Sequence, residues 1–164
     1  MTENTSMSGD AVEFKDPLSD YEPVAYDSEL HRALAEDTVD ALTSQPCIEV
    51  EPSATVGEAI DRLHAANASS LLVVSDGKVV GIFTGRDVLE KVAERYANWA
   101  DTAVGEVMTA NPTVVYQTDP VAIALAAIAV AGHRHVPVLA IDGTSRGILS
   151  PRRVFDFIEK HFDQ

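Results

Sequence analysis

Thr84 and Asp87 stand three residues apart in the phrase Thr84-Gly85-Arg86-Asp87, a hydroxyl followed by a carboxylate. Two chemistries suit that spacing. In the first, the pair is a helix capping box: the threonine accepts from an amide one turn on, and the acid reaches back to the first amide. Such a cap is worth about 1 kcal/mol. In the second, the carboxylate, which only accepts hydrogen bonds, takes hydroxyl donors from a ligand. The spacing allows both. A second group of chemistry-bearing residues is cationic. His133, Arg134, His135, Arg152 and Arg153 gather near the C-terminus of a chain whose net charge is −14. Guanidinium groups present a planar fork that fits phosphate, and imidazoles titrate near neutrality. The plainer alternative for these five is a solvated loop and helix end.

Other reactive types give less. The histidines are not spaced with carboxylates as metal ligands on one helix face, and no serine or cysteine lies in a nucleophile-elbow phrase. Catalysis is not expected, and no metal site is assigned, although His133 and His135 alternate in a way that could bind a metal or another anion. Cys47 stands alone, so no internal disulfide forms, and nothing near it in sequence would activate its thiol. The acidic balance argues against general binding to nucleic acid or an anionic membrane, yet leaves room for a small anion in a locally basic pocket. No apolar run approaches the ~18–20 residues that span a bilayer. The polar start of the chain resembles no targeting peptide, and the expected location is the cytoplasm.

These residues are set in an internal repeat. A shift of 66 residues lays Leu42–Val92 on Met108–Ile158 without a gap. Thr43 falls on Thr109, Pro46 on Pro112, Asp76 on Asp142, Gly77 on Gly143, Gly81 on Gly147 and Arg86 on Arg152. Turn and boundary residues match best. Each copy predicts a short strand (Cys47–Val50; Thr113–Tyr116), a helix (Val56–Ala66; Pro120–Ala131), a hairpin and a last helix from Asp87 or Arg153. The hairpin strands are Leu71–Val74 with Val79–Phe83, and Val136–Ala140 with Arg146–Leu149, each pair joined across Asp-Gly. The expectation is an α+β fold of two β-α-β-β-α units packed as a pseudo-twofold pair, with the cleft between them as the ligand site. Residues 1–27 read as an acidic tail. Residues 28–98 are assigned to the first unit, led by a helix that Ser28 can cap, and 99–164 to the second.

The chain resembles the CBS (cystathionine β-synthase) domain family in several phrases of both copies. They are Thr55-Val56-Gly57-Glu58-Ala59-Ile60, Gly81-Ile82-Phe83-Thr84-Gly85-Arg86-Asp87, Val104-Gly105-Glu106-Val107-Met108-Thr109, Arg134-His135-Val136-Pro137-Val138 and Gly147-Ile148-Leu149-Ser150. The likeness covers roughly residues 38–162 and implies a regulatory pair of the Bateman-module type. Such pairs bind AMP, ADP, ATP or S-adenosylmethionine between the repeats, form homodimers and signal to a partner protein.

On that resemblance, Asp87 would hold the ribose hydroxyls, with Thr84 and the adjacent Arg86 beside it. Cys47 and Ile48 would line an adenine slot closed by Ser70, Leu71 and Ile82. Arg134 and His135 would reach the phosphates from the other copy. The second copy keeps a hydroxyl at Ser150 but has Arg153 where the aspartate would stand. Arginine cannot accept a hydroxyl proton, so one ribose site per chain is expected. The alternative is a docking scaffold that has lost its ligand.

Overall fold

The structure, a computed structural model, describes Glu22, residues 24–42 and residues 47–162. Nearly all of the expected acidic tail, and Thr43 and Pro46 of the repeat, lie outside the described residues.

The first helix, α1 (Glu29–Glu36), begins where Ser28 Oγ accepts from the amide of His31. The first repeat follows as β1 (Glu49–Val50), α2 (Val56–Ala65), β2 (Ser70–Ser75) and β3 (Lys78–Thr84). A capping box of Thr55 with Glu58 opens α2. β1 runs parallel to β2, and β2 antiparallel to β3. The hairpin turn has positive φ at both central residues, Asp76 (51°) and Gly77 (74°), the requirement of a type I′ turn and the reason Asp-Gly serves there.

After β3 the expected single helix is broken into pieces. A short turn, α3 (Gly85–Asp87), passes into a π-helical turn (Val88–Val92), a 3-10 turn (Ala93–Arg95) and α4 (Tyr96–Trp99). The wide turn contains Lys91, whose Nζ donates to Asp87 Oδ1 at 2.6 Å and to the Val107 carbonyl at 2.8 Å. In the second repeat the same position is one unbroken helix.

The second repeat contains β5 (Val115–Tyr116), α5 (Val121–Ala129), β6 (Val136–Leu139), β7 (Ser145–Leu149) and α6 (Pro151–Phe162). It is preceded by β4 (Thr109–Ala110), which pairs with β3 and completes the first sheet. The molecule is thus α+β, with a four-stranded sheet β1-β2-β3-β4 and a three-stranded sheet β5-β6-β7.

The two cores are interlaced. Ala33, Val39 and Leu42, from the leader of the first repeat, are buried with Val115, Val121, Val136, Leu149 and Phe157 of the second. Conversely, Val104 and Val107 from the leader of the second are buried with Val56, Leu71, Phe83 and Val92 of the first. Backbone bonds tie both exchanges. Val39 N–H donates to the Asp119 carbonyl at 2.8 Å, and Val104 N–H to the Ala54 carbonyl at 2.7 Å. The leading helix, next to the first repeat in sequence, packs against α5 and α6 of the second.

Candidate functional site

Docking the repeats about a pseudo-twofold axis creates two clefts. Each takes the end of a hairpin strand from one repeat, and the strand entry and pre-hairpin loop from the other. The first cleft, about 350 Å³, is lined by Ile82, Thr84, Gly85 and Arg86 of the first repeat. Facing them are Thr109, Pro112, Thr113, Gly132, His133, Arg134 and His135. The second, about 300 Å³, is lined by Ile148, Ser150 and Arg153, facing Cys47, Ile48, Asn67 and Ser70. Ser69 and His135 border both, and their side chains meet at 2.9 Å (Oγ to Nε2). These two positions are 66 residues apart. They are equivalent in the repeats, and their bond lies on the axis.

Asp87 sits immediately behind Thr84, 5% exposed. Its carboxylate accepts from the Thr84 amide (2.9 Å) and hydroxyl (2.7 Å) on Oδ2, and from Lys91 Nζ (2.6 Å) and Thr109 Oγ1 (3.1 Å) on Oδ1. Burial works to raise the carboxyl pKa, but the hydrogen bonds from Lys91 and Thr84 outweigh it and hold the group below the usual carboxylate range. Thr84 and Asp87 form a complete capping box. Two of the four donors are threonine hydroxyls, which rotate freely enough to yield to hydroxyls of a guest.

The opposite wall is cationic. Arg134 is exposed, and His135 is half buried. Burial first, and then the Arg134 charge, holds the His135 imidazole below its usual range. Arg86 points to solvent, 3.7 Å from Glu90.

The residues assigned from sequence therefore divide. Ile82, Thr84, Arg86, Arg134 and His135 share the first cleft, with Asp87 directly beneath its wall. Cys47, Ile48 and Ser70 line the second cleft and do not join Thr84 in one slot. Leu71 is fully buried in the first core and lines neither. The physical reason is the crossing: β1 enters beside the strand end of the other repeat. The residue that faces Thr84 as Cys47 was expected to is its equivalent, Thr113. Thr109, Thr113 and Ser69 border the first cleft without having been assigned from sequence; the 66-residue shift makes Thr113 the equivalent of Cys47 but carries no signal of the docking that sets it opposite Thr84. Cys47 Sγ lies 3.2 Å from Ser145 Oγ. Burial raises its thiol pKa, against the Ser145 hydrogen bond, and so favours the thiol over the thiolate.

A larger cavity, about 470 Å³, opens beside β1 and α2 and is lined by Glu49, Glu51 and Glu58 with Arg62. Three carboxylates make it the less suitable place for an anion, whatever its size. Among the described residues no cluster of three or more metal-ligating side chains occurs, and no helix is long and apolar enough to cross a membrane.

Known proteins agree with this geometry. A 17.7 kDa protein of Acidianus ambivalens, itself uncharacterized, is 34% identical over 104 residues, which span 63% of this chain and 62% of that one. The chain thus covers less than two thirds of that relative. The crystal structure of the CBS domain NE2398 is 31% identical and superposes with a TM-score of 0.65 over 74% of this chain and 96% of that one. A CBS domain protein from Pyrobaculum aerophilum, complexed with AMP, superposes with a TM-score of 0.65 over 75% and 98%. At 23% identity that likeness speaks for the fold alone. The CBS domain family profile matches residues 39–94 and 104–160. With the repeat, the paired sheets and these two tandem matches, the chain belongs to the CBS domain family and carries two CBS domains.

Proposed function

We propose that the chain is a non-catalytic regulatory module of the cytoplasm that binds one adenine nucleotide in the first cleft and signals its occupancy to a partner protein. One observation carries the reading: Thr84, backed by the buried acceptor Asp87, faces the Arg134 guanidinium and the His135 imidazole across one cavity. Ribose hydroxyls replace the Thr84 and Thr109 hydroxyls on the Asp87 carboxylate. The phosphate meets Arg134 and His135, and the base lies between Ile82 and the Pro112–Thr113 segment. AMP, ADP, ATP and S-adenosylmethionine share the adenosine that this arrangement recognises. AMP bound to the Pyrobaculum protein of the same fold supports the choice. A ligand gripped from both repeats favours the relative orientation that grips it best, and such differential affinity is what a switch requires.

Calorimetric titration of the four ligands tests this. About one equivalent of AMP or a phosphorylated analogue binds. His135 is neutral in the free protein near neutrality, and an adjacent phosphate raises its pKa. Binding then takes up a proton and tightens as the pH falls toward the range in which histidine titrates. No heat from any adenine ligand would leave the second reading, a docking scaffold without a ligand. That reading has its own support, because the Asp87 carboxylate is already satisfied by four donors without a guest.

The same proposal includes a homodimer. Leu89 and Phe155 occupy equivalent positions on the last helices and are 73% and 68% exposed. Tyr96 and Phe162 form a second equivalent pair, also exposed. Paired apolar faces of this kind are suited to a symmetric, self-complementary interface. Replacing both Leu89 and Phe155 by Glu is expected to halve the mass seen by light scattering. An unchanged mass, or a monomeric parent protein, would refute the interface.

A further inference from the structure

The helical segment that carries Asp87 differs from its counterpart in the second repeat most sharply at Lys91. The 66-residue shift lays Lys91 on Phe157, which is 7% exposed and belongs to the second core. In the first repeat the buried residue is instead Val92, at 0% exposure. The π-helical turn Val88–Val92, with its wider i to i+5 repeat, accounts for that step of one residue. It leaves the Lys91 side chain 40% exposed, with its Nζ between two acceptors. One is Asp87 Oδ1, and the other is the carbonyl of Val107, a residue that closes the first core. Thr109 Oγ1, two residues further on, donates to the same Oδ1. The buried carboxylate and the leader of the second repeat are therefore joined at two points. If a nucleotide occupies the first cleft, its ribose displaces the Thr109 hydroxyl, and Lys91 is the tie that stays. We propose that Lys91 is the positioning residue of the ribose site: it fixes the Asp87 carboxylate for its guest and carries occupancy of the first cleft to residues 107–109. This inference rests on the nucleotide reading of that cleft.

The other groups around Asp87 are Thr84 on its own turn and Thr109 from β4. Arg86 and Glu90 face each other in solvent at 3.7 Å, and Arg134 and His135 lie beyond Thr84 across the cleft. The competing explanation is that Lys91 only staples the π-helical turn, and the test separates the two. AMP is titrated calorimetrically into the full chain, Lys91→Met and Lys91→Arg, at low and high salt, with a melting curve for each. The Asp87 carboxyl carbon is followed by NMR against pH, and the amides of Val107 and Met108 as AMP is added. Affinity is expected to fall at least about tenfold in Lys91→Met. It recovers to within about threefold of the parent in Lys91→Arg, which keeps the charge and can donate to both acceptors. The fall persists at high salt, which screens distant charges far more than a contact pair. Burial works to raise the Asp87 carboxyl pKa and the Lys91 hydrogen bond opposes it, so the carboxyl titration moves to higher pH in Lys91→Met and not in Lys91→Arg. AMP shifts the Val107 and Met108 amides in the parent, and shifts them less in saturated Lys91→Met. Undiminished affinity in Lys91→Met, whatever its melting point, overturns the proposal. So does equal loss in both variants, a fall that vanishes at high salt, or amides that AMP leaves unmoved in the parent. No AMP heat on the parent chain is a different result: it overturns the nucleotide reading itself, and this inference with it.

Discussion

Asp87→Asn is expected to lower AMP affinity at least about a hundredfold while leaving the chain folded. Two ribose hydroxyls donating to a carboxylate each contribute about 1.5–3 kcal/mol as charge-assisted bonds. Losing them corresponds to two or more factors of ten at about 1.4 kcal/mol each. Asparagine offers one acceptor oxygen and turns an amide donor toward groups that are themselves donors, Lys91 Nζ and the threonine hydroxyls. The stability cost is smaller, about 1–2 kcal/mol for a weakened cap and a lost ion pair whose lysine is 40% exposed. Calorimetry with AMP and a melting curve on each protein separate the two roles. A lower melting point with undiminished AMP affinity would make Asp87 a helix cap and nothing more. The acid limb of the stability profile gives a second readout. A carboxyl held below its unfolded pKa stabilises the fold above that pKa, about 4, and the benefit is lost as pH falls through the folded value. Asp87→Asn should flatten that limb.

Leu42→Ala is expected to cost about 3 kcal/mol, and Val104→Ala about 2 kcal/mol, through lost burial and the cavities left behind. At roughly 2–4 °C per kcal/mol for a chain of this size, the leucine variant melts about 6–12 °C lower. Both side chains are buried, at 2% and 0% exposure, each in the core of the opposite repeat. The damage therefore crosses the repeat boundary. A single cooperative transition, shifted down as a whole in either variant, is the expected melting profile. A biphasic melt, in which only one half of the molecule is weakened, would show that the repeats unfold independently.

Much of the local structure was legible because it is set by neighbours in sequence. Asp76-Gly77 specifies its own turn, Ser28 caps the helix it precedes, and the 66-residue shift carries each element from one copy to the other. What was not legible depends on docking. Periodicity says that Ala33, Val39 and Leu42 are buried, but not beneath which sheet. Repeat alignment says that Cys47 and Thr113 are equivalent, but not which of them faces Thr84. Those facts come from the placement of one repeat on the other, which leaves no local signature. The π-helical turn is similar, since Lys91 is held both by Asp87 four residues away and by the distant carbonyl of Val107. On the chemical side, the Thr84–Asp87 spacing admitted two roles, and the structure forms the cap without removing the other.

The interlaced cores also bear on how the chain is made. Synthesis proceeds from the N-terminus at about 5–20 residues per second. When the first repeat has emerged, Val104 and Val107, which close its core, are not yet available. Meanwhile the core around Val39 and Leu42 stays incomplete while Val115, Val121 and Val136 emerge, and it closes only when Leu149 and Phe157 appear, roughly 5–20 s after Leu42 at that rate. A half-made pair is thus a half-closed fold with apolar surface exposed on both sides, and native structure arrives almost all at once, when the second repeat has emerged. Ribosome-bound intermediates of this protein are where chaperones have something to hold.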